Sequence, residues 1–190
     1  MELLTAFLFA LAFMSYGISF SLFIVLALLS YFIVVTMIDI DFQVIPDSLN
    51  WPFFFIGLIV HFLAGHFFPG MMFDNINIAF SWKTSLMGAL AGGGLLWLIA
   101  VLSGGGMGMG DVKFALAIGS FTGPLVVLQI LFISFFLGAF FGIFLILIKL
   151  KKRKDYIPFG PYIAAAGAIV LLTGTSDISK LYWYLMLYKG

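Results

Sequence analysis

Between Ile18 and Ile38 the chain runs for 21 residues without a charged side chain, and between Leu125 and Ile148 for 24. No other feature restricts the fold as tightly. About 20 consecutive apolar residues cross the hydrocarbon core of a bilayer as a helix. Inside that core every backbone N–H and C=O needs a partner from the protein itself, which leaves helices or a closed barrel. The sequence carries no heptads, no internal repeat and no β pattern. The expectation is therefore an all-α, polytopic transmembrane helix bundle with about six to seven membrane segments. Only 9% of the 190 residues are charged, against about 25% in a soluble domain, so the chain cannot cover a water-facing surface. It reads as a single integral-membrane domain over residues 1–190. The absence of cysteine excludes disulfides, Cys-ligated zinc and thiol chemistry. The N-terminus has no basic n-region and no small-residue cleavage site, so it is not read as a removable signal peptide.

Taken in order, residues 3–16 are apolar but short of a full span, and Gly17 separates them from the helix of 18–38. A third run covers 51–68, with Pro52 expected in the first turn of its helix, where the missing N–H costs nothing. A polar and aromatic loop over 69–84 follows, in which Trp82 and Lys83 have the character of interfacial anchors. The fourth run, 85–102, contains Gly92-Gly93-Gly94, which lets a neighbouring helix approach closely. A short helix over 112–122 is closed by Gly123-Pro124, and the long sixth run stops at Lys149, Lys151, Lys152, Arg153 and Lys154. A seventh run covers about 161–173. The aromatic tail, 181–188, is too short to span and reads as interfacial.

Against this background the stretch Gly104-Gly105-Gly106-Met107-Gly108-Met109-Gly110-Asp111-Val112-Lys113 stands out. Its glycines permit positive φ or an unusually close approach to a ligand. A carboxylate at the end of such a run is costly to keep between apolar segments without a purpose. A plainer role is equally open: Asp111 caps the helix that begins near Val112. A second acidic stretch, Asp39-Ile40-Asp41-Phe42-Gln43-Val44-Ile45-Pro46-Asp47, ends the helix of 18–38. Asp41 and Asp47 are read as solvated loop residues, with Asp47 a cap for a helix starting near Ser48. Asp39 falls on the last turn, where a carboxylate opposes the helix dipole, and its local cost argues for a role.

The basic cluster at 149–154 sets the orientation, because short Lys/Arg-rich loops stay cytoplasmic; contact with anionic lipid is a lesser expectation. Counting crossings back from it, with the 112–122 segment crossing, puts both acidic stretches on the cytoplasmic face. Two carboxylates held close cannot both ionise, so one keeps a proton while the other acts as a base. The base takes a proton from water, the water attacks a peptide carbonyl, and the acid protonates the leaving group or the developing oxyanion. No metal is required. His61 and His66, five apart, lie on poorly matched faces of one helix and read as packing residues rather than a metal pair, which would want a spacing of three or four.

With Asp39-x6-Pro46-Asp47 and Gly108-Met109-Gly110-Asp111-Val112-Lys113 both in view, the chain resembles the type IV prepilin peptidases, intramembrane aspartic proteases that share a GxGD signature with presenilins and archaeal preflagellin peptidases. Residues 39–50 resemble the family's first aspartate block and Pro158-Phe159-Gly160-Pro161 its late PFGP block. The opening Glu2-Leu-Leu-Thr-Ala resembles a stretch that follows the soluble domain in bacterial members. The resemblance covers essentially the whole chain in order and spacing. It implies Asp39 and Asp111 as the catalytic pair, with Asp39 preferred to Asp41 because it stands seven residues before Pro46. It implies that Gly108 and Gly110 let the loop pass close to substrate, and that Asp41, Pro46, Asp47 and Lys113 belong to the substrate-side loops, Lys113 lying near enough to Asp111 to act on it or else anchoring the helix end.

The implied substrate is a type IV prepilin or a type II secretion pseudopilin with a basic leader and an apolar N-terminal helix, cut after a glycine at the cytoplasmic boundary of the bacterial inner membrane. Membrane lipids are the other expected partner, and no nucleic acid is. Bacterial members usually carry a further N-terminal helix and a cytoplasmic domain with two CxxC pairs, which this chain lacks. That leaves a truncated form or a naturally short, protease-only member. No cofactor is expected, and S-adenosylmethionine enters only if a methyltransferase activity survives without that domain. Two competing classes remain: a small transporter or proton relay using Asp39 and Asp111, and a scaffold in which both acids cap helices. Acids near one interface and the lack of an inverted repeat of broken helices weigh against the transporter. The glycine run and the PFGP block weigh against the scaffold.

Overall fold

The computed structural model describes residues 2–73, 76, 78–104, 106–150 and 158–174. Within them the chain forms six helices and one small hairpin: α1 Glu2–Tyr16, α2 Phe20–Phe42, α3 Asp47–Phe67, β1 Met72–Phe73, β2 Ile78–Ala79, α4 Trp82–Leu102, α5 Met109–Leu147 and α6 Gly160–Thr173. The fold is all-α in its core, as the apolar runs require. Four helices, α2 to α5, are long and apolar enough to cross a membrane. The basic residues 151–154 and the tail 181–188 lie outside the described residues.

Helix α5 is two helices in one. At Gly123 the backbone takes φ 70 and ψ 175, which is non-helical, and Pro124 supplies no N–H to bridge the break. The chain reverses there. Gly92 of α4 would meet both Ala115 and Val127 if it carried a Cβ, while Gly88 would meet both Gly119 and Gly123. Residues on either side of the break thus stand at matching heights along α4, and 109–122 and 124–147 run antiparallel. The reversal predicted at Gly123-Pro124 is present. The first limb holds 14 residues, about 21 Å of helix, against about 30 Å of hydrocarbon.

Contacts along the other helices give the remaining directions. Asp47 meets Lys113 and Gly57 meets Ser120, so α3 runs parallel to the first limb of α5. Asp39 meets Gly160 and Gly167 meets Phe32, so α2 and α6 are antiparallel. Tyr16 at the end of α1 donates its hydroxyl to the Leu171 carbonyl at 2.6 Å. Seven helical segments therefore alternate in direction. The end of α2 and the starts of α3, α5 and α6 all gather at one end of the bundle, and both acidic stretches lie there.

Three boundaries differ from the expected ones. Helix α3 starts at Asp47, so Pro52 falls in its second turn rather than its first and removes the N–H that would meet the Ser48 carbonyl. Helix α5 starts at Met109, with Gly108 as N-cap, so Asp111 is the third helical residue and not the cap. The 69–84 loop holds a two-residue-per-strand hairpin, with Met72 opposite Ala79 and Phe73 opposite Ile78. Its Phe73 is buried between Tyr16 and Phe80, at ring separations of 6.3 and 5.7 Å. The short ladder was invisible as a pattern because aromatic burial, not alternation, holds it. Of the three central glycines of α4, Gly92 and Gly93 abut α5, whereas Gly94 faces open space.

The two histidines behave as packing residues. His61 is buried against Phe80 with Nδ1 3.2 Å from the Gly57 carbonyl, and His66 stacks on Phe62. No group of three or more potential metal ligands occurs among the described residues.

Candidate active site

The buried stripe of α2 runs Val25, Leu28, Phe32, Val35, Asp39. The steps are three, four, three and four, the spacing of one helix face. Asp39 thus occupies the last position of a core-facing stripe and is only 2% exposed. Asp41, two residues on, is exposed. Beyond Asp39 the helix ends at Gln43, a left-handed residue with φ 54 whose N–H returns to the Asp39 carbonyl at 2.9 Å. The chain then passes through Val44 and Ile45 to Pro46, the N-cap of α3, whose backbone is extended.

Asp111 comes from the other side. Three residues after the N-cap Gly108, its carboxylate turns back toward the Gly108 backbone N–H, the placement of the acidic partner in a capping box. It is 4% exposed. Asp39 and Asp111 are the only acidic side chains buried among the described residues. They lie close enough to act on each other electrostatically. Together with Gln43, Val44, Ile45, Gly108, Met109 and Gly110 they line one open cavity of about 230 Å³.

The glycines contribute by closeness rather than by unusual dihedrals. Gly108 has φ −70, and neither it nor Gly110 is among the residues at positive φ; among the described residues of this stretch only Gly104 is. A Cβ on Gly110 would lie 3.0 Å from Ile45 Cβ and 3.4 Å from the Ile45 backbone nitrogen and oxygen. Gly110 therefore lets the start of α5 lie close against Ile45 of the 43–46 segment, on the wall between the two acids.

Lys113 is engaged elsewhere than expected. Its ammonium grips both carboxylate oxygens of Asp47, at 2.7 and 2.6 Å. The two side chains are 27% and 56% exposed. Asp47 is thus neither a free loop acid nor a helix cap but the first residue of α3, tied to the second turn of α5. Beneath the cavity, Tyr31 donates to Asn50 Oδ1 at 2.6 Å and stacks on Phe53 at 3.9 Å, with Phe114 edge-on at 5.2 Å. This floor locks α2, α3 and α5 into one frame.

The start of α6 supplies a contact that the sequence reading did not assign. The backbone N–H of Gly160 donates to Asp39 Oδ2 at 3.0 Å, and Phe159 stacks on Phe135 of α5 with ring centres 5.3 Å apart. The PFGP block marked the place, since a glycine wedged between phenylalanine and proline is an uncommon way to begin a helix. Gln43, Val44, Ile45 and Met109 carry no such signal, and only the fold brings them to the cavity.

The profile of the type IV leader peptidase family matches residues 26–143, a span that contains both buried aspartates. The chain is 35% identical over 189 residues to a prepilin leader peptidase/N-methyltransferase of Aeromonas salmonicida (strain A449), covering 97% of this chain and 60% of that protein. A protein of the same name from Aeromonas hydrophila is 36% identical over the same shares. The one from Bacillus subtilis (strain 168) is 35% identical over 94% of this chain and 66% of its own length. The chain thus spans about 60% of the length of the first two relatives. No solved structure matches it. The chain belongs to the type IV leader peptidase family.

Proposed function

We propose that this member of the type IV leader peptidase family is an intramembrane aspartic endopeptidase that cuts the leader from type IV prepilins or type II secretion pseudopilins. One observation carries the proposal: two buried carboxylates, and no other buried acids among the described residues, line one open cavity. Each carboxylate is held by one backbone N–H, Asp39 by that of Gly160 and Asp111 by that of Gly108, and in this proposal Asp39 serves as the base. Asp111 is the acid. Water held between them loses a proton to Asp39 as it attacks the scissile carbonyl. Asp111 protonates the oxygen as it becomes anionic; as the C–N bond breaks, Asp39 gives its proton to the departing amine and Asp111 takes one back from a hydroxyl of the gem-diol. With one carboxyl protonated and one ionised, the rate passes through a maximum and falls at both lower and higher pH.

The cavity lies at the end of the bundle where α2 stops and α3, α5 and α6 begin. That position suits a scissile bond just outside a substrate's apolar helix, at the cytoplasmic boundary of the inner membrane, after a glycine that ends a basic leader. Gly108, Pro46 and Asp47 belong to the rim that such a peptide passes, whereas Asp41 is exposed outside the cavity. Hydrolysis in this form uses no metal and no organic cofactor.

The relatives' names include an N-methyltransferase activity. A cavity of about 230 Å³ is below the roughly 300 Å³ at which pockets for ligands of that size begin, so it does not fit S-adenosylmethionine. No methyl transfer is assigned to it. The test is co-expression with a tagged prepilin, followed by gel shift and N-terminal sequencing. Loss of the leader with a single new N-terminus is expected. An intact precursor beside well-folded, membrane-inserted protein would refute the proposal and favour a proton or cation relay.

A further inference from the structure

The first N–H groups of a helix lack partners one turn back, and those of residues 160–163 in α6 can be followed one by one. Tyr162 and Ile163 both donate to the Phe159 carbonyl, at 3.0 and 3.2 Å. Pro161 has no N–H to give. The remaining donor is Gly160, and it goes to Asp39 Oδ2 at 3.0 Å. The N-cap Phe159 lies in the right-handed helical region, with φ −93 and ψ −25, and contributes no side-chain cap. Its ring is held by Phe135 and lies against Gly138, so the second limb of α5 fixes where this helix begins. The fit is close as well as polar: a Cβ on Gly160 would stand 2.6 Å from Asp39 Oδ2 and 3.1 Å from Ile45 Cδ1.

We propose that Gly160 is a positioning residue for Asp39: the start of α6 offers one backbone donor, which holds one carboxylate oxygen and leaves the other for the cavity shared with Asp111. Glycine is required because any side chain at 160 occupies the space of the held oxygen. Proline at 161 removes the adjacent donor, which would otherwise draw the second oxygen toward α6 and away from water. Phe159 sets the height of the pair through its stack on Phe135. The inference rests on the peptidase proposal above, and it concerns residues 159–161, which lie outside the 26–143 span of the family match.

The test is a kinetic comparison in the detergent-purified chain with a tagged prepilin, using parent, Gly160→Ala and Pro161→Ala, each checked for its thermal melting point. Gly160→Ala is expected to lose on the order of 100-fold in kcat, with KM within about threefold and a melting point near the parent's. Pro161→Ala, which adds a donor and no bulk at Gly160, is expected to lose about tenfold in kcat at unchanged KM. A Gly160→Ala protein that folds and keeps the parental kcat overturns the proposal. Should Gly160→Ala fail to fold, Pro161→Ala decides: a fall in kcat at constant KM supports it, and an unchanged kcat overturns it. An inactive parent would instead count against the peptidase itself.

Discussion

Asp39 and Asp41 sit two residues apart on one helix, and two residues turn a side chain about 200° around the axis. That rotation separates a buried acid facing Asp111 from an exposed one facing away. Asp41→Asn should therefore leave leader removal within about threefold of the parent, whereas Asp39→Asn should lower kcat by about 10² to 10⁴, the usual worth of a general base. A gel-shift time course separates the two, and retained activity in Asp39→Asn with loss in Asp41→Asn would reverse the assignment. Asp39 was preferred in the sequence for its place on the last turn of an apolar helix, seven residues before Pro46. The stripe 25, 28, 32, 35, 39 that buries it was not legible, because α2 is apolar on every face above it. The pairing of Lys113 with Asp47 was not legible, because the two are 66 residues apart and no local pattern links them. The pair is partly exposed, so Lys113→Met should cost at most about 1 kcal/mol of stability. Thermal unfolding in detergent reads that directly.

At the scale of elements, α4 and α5 depend on backbone meeting backbone. A Cβ on Gly88 would drive into the Gly119 carbonyl and the Gly123 backbone, whereas one on Gly94 would meet nothing within 4 Å. Neither helix can yield there without moving the reversal at Gly123. Gly88→Ala should thus destabilise by about 1 to 3 kcal/mol. Gly94→Ala should be neutral, or stabilising by up to about 1 kcal/mol, because alanine is the better helix former. Equal effects from the two would contradict this packing. The reversal at Gly123-Pro124 could be anticipated because both residues interrupt a helix for local reasons. The contact of Gly110 with Ile45 could not, since it depends on how the 43–46 segment folds back across the start of α5. Helix α3 starts one residue before the start expected near Ser48 and four before the apolar run at Trp51, because Pro46 is its N-cap and Pro52 falls a turn later.

For the whole molecule, alternating helix directions carry Asp39, Asp111, Asp47 and Gly160 to one end, and Tyr16, Phe73 and Phe80 to the other. If the acidic end faces the cytoplasm, Val44→Cys, at an exposed rim position, should react with an impermeant thiol reagent only when that reagent reaches the cytoplasmic side. Met72→Cys in the distal hairpin should show the opposite sidedness. The natural absence of cysteine makes each label unambiguous, and matching sidedness for the two would overturn the topology. The membrane character was legible from the long uncharged runs alone. Which side chains complete the site was not, because Gly160 lies 121 residues from Asp39 and no sequence period spans that distance.

The most direct test of the central claim is cleavage of a purified prepilin by the purified chain in liposomes, comparing the parent with Asp39→Asn and Asp111→Asn at equal, verified insertion. Leader removal by the parent, and none above background by either variant, is the predicted result. Cleavage that survives in either variant, or a parent that is folded, inserted and inert, would contradict a two-aspartate peptidase site between α2 and α5.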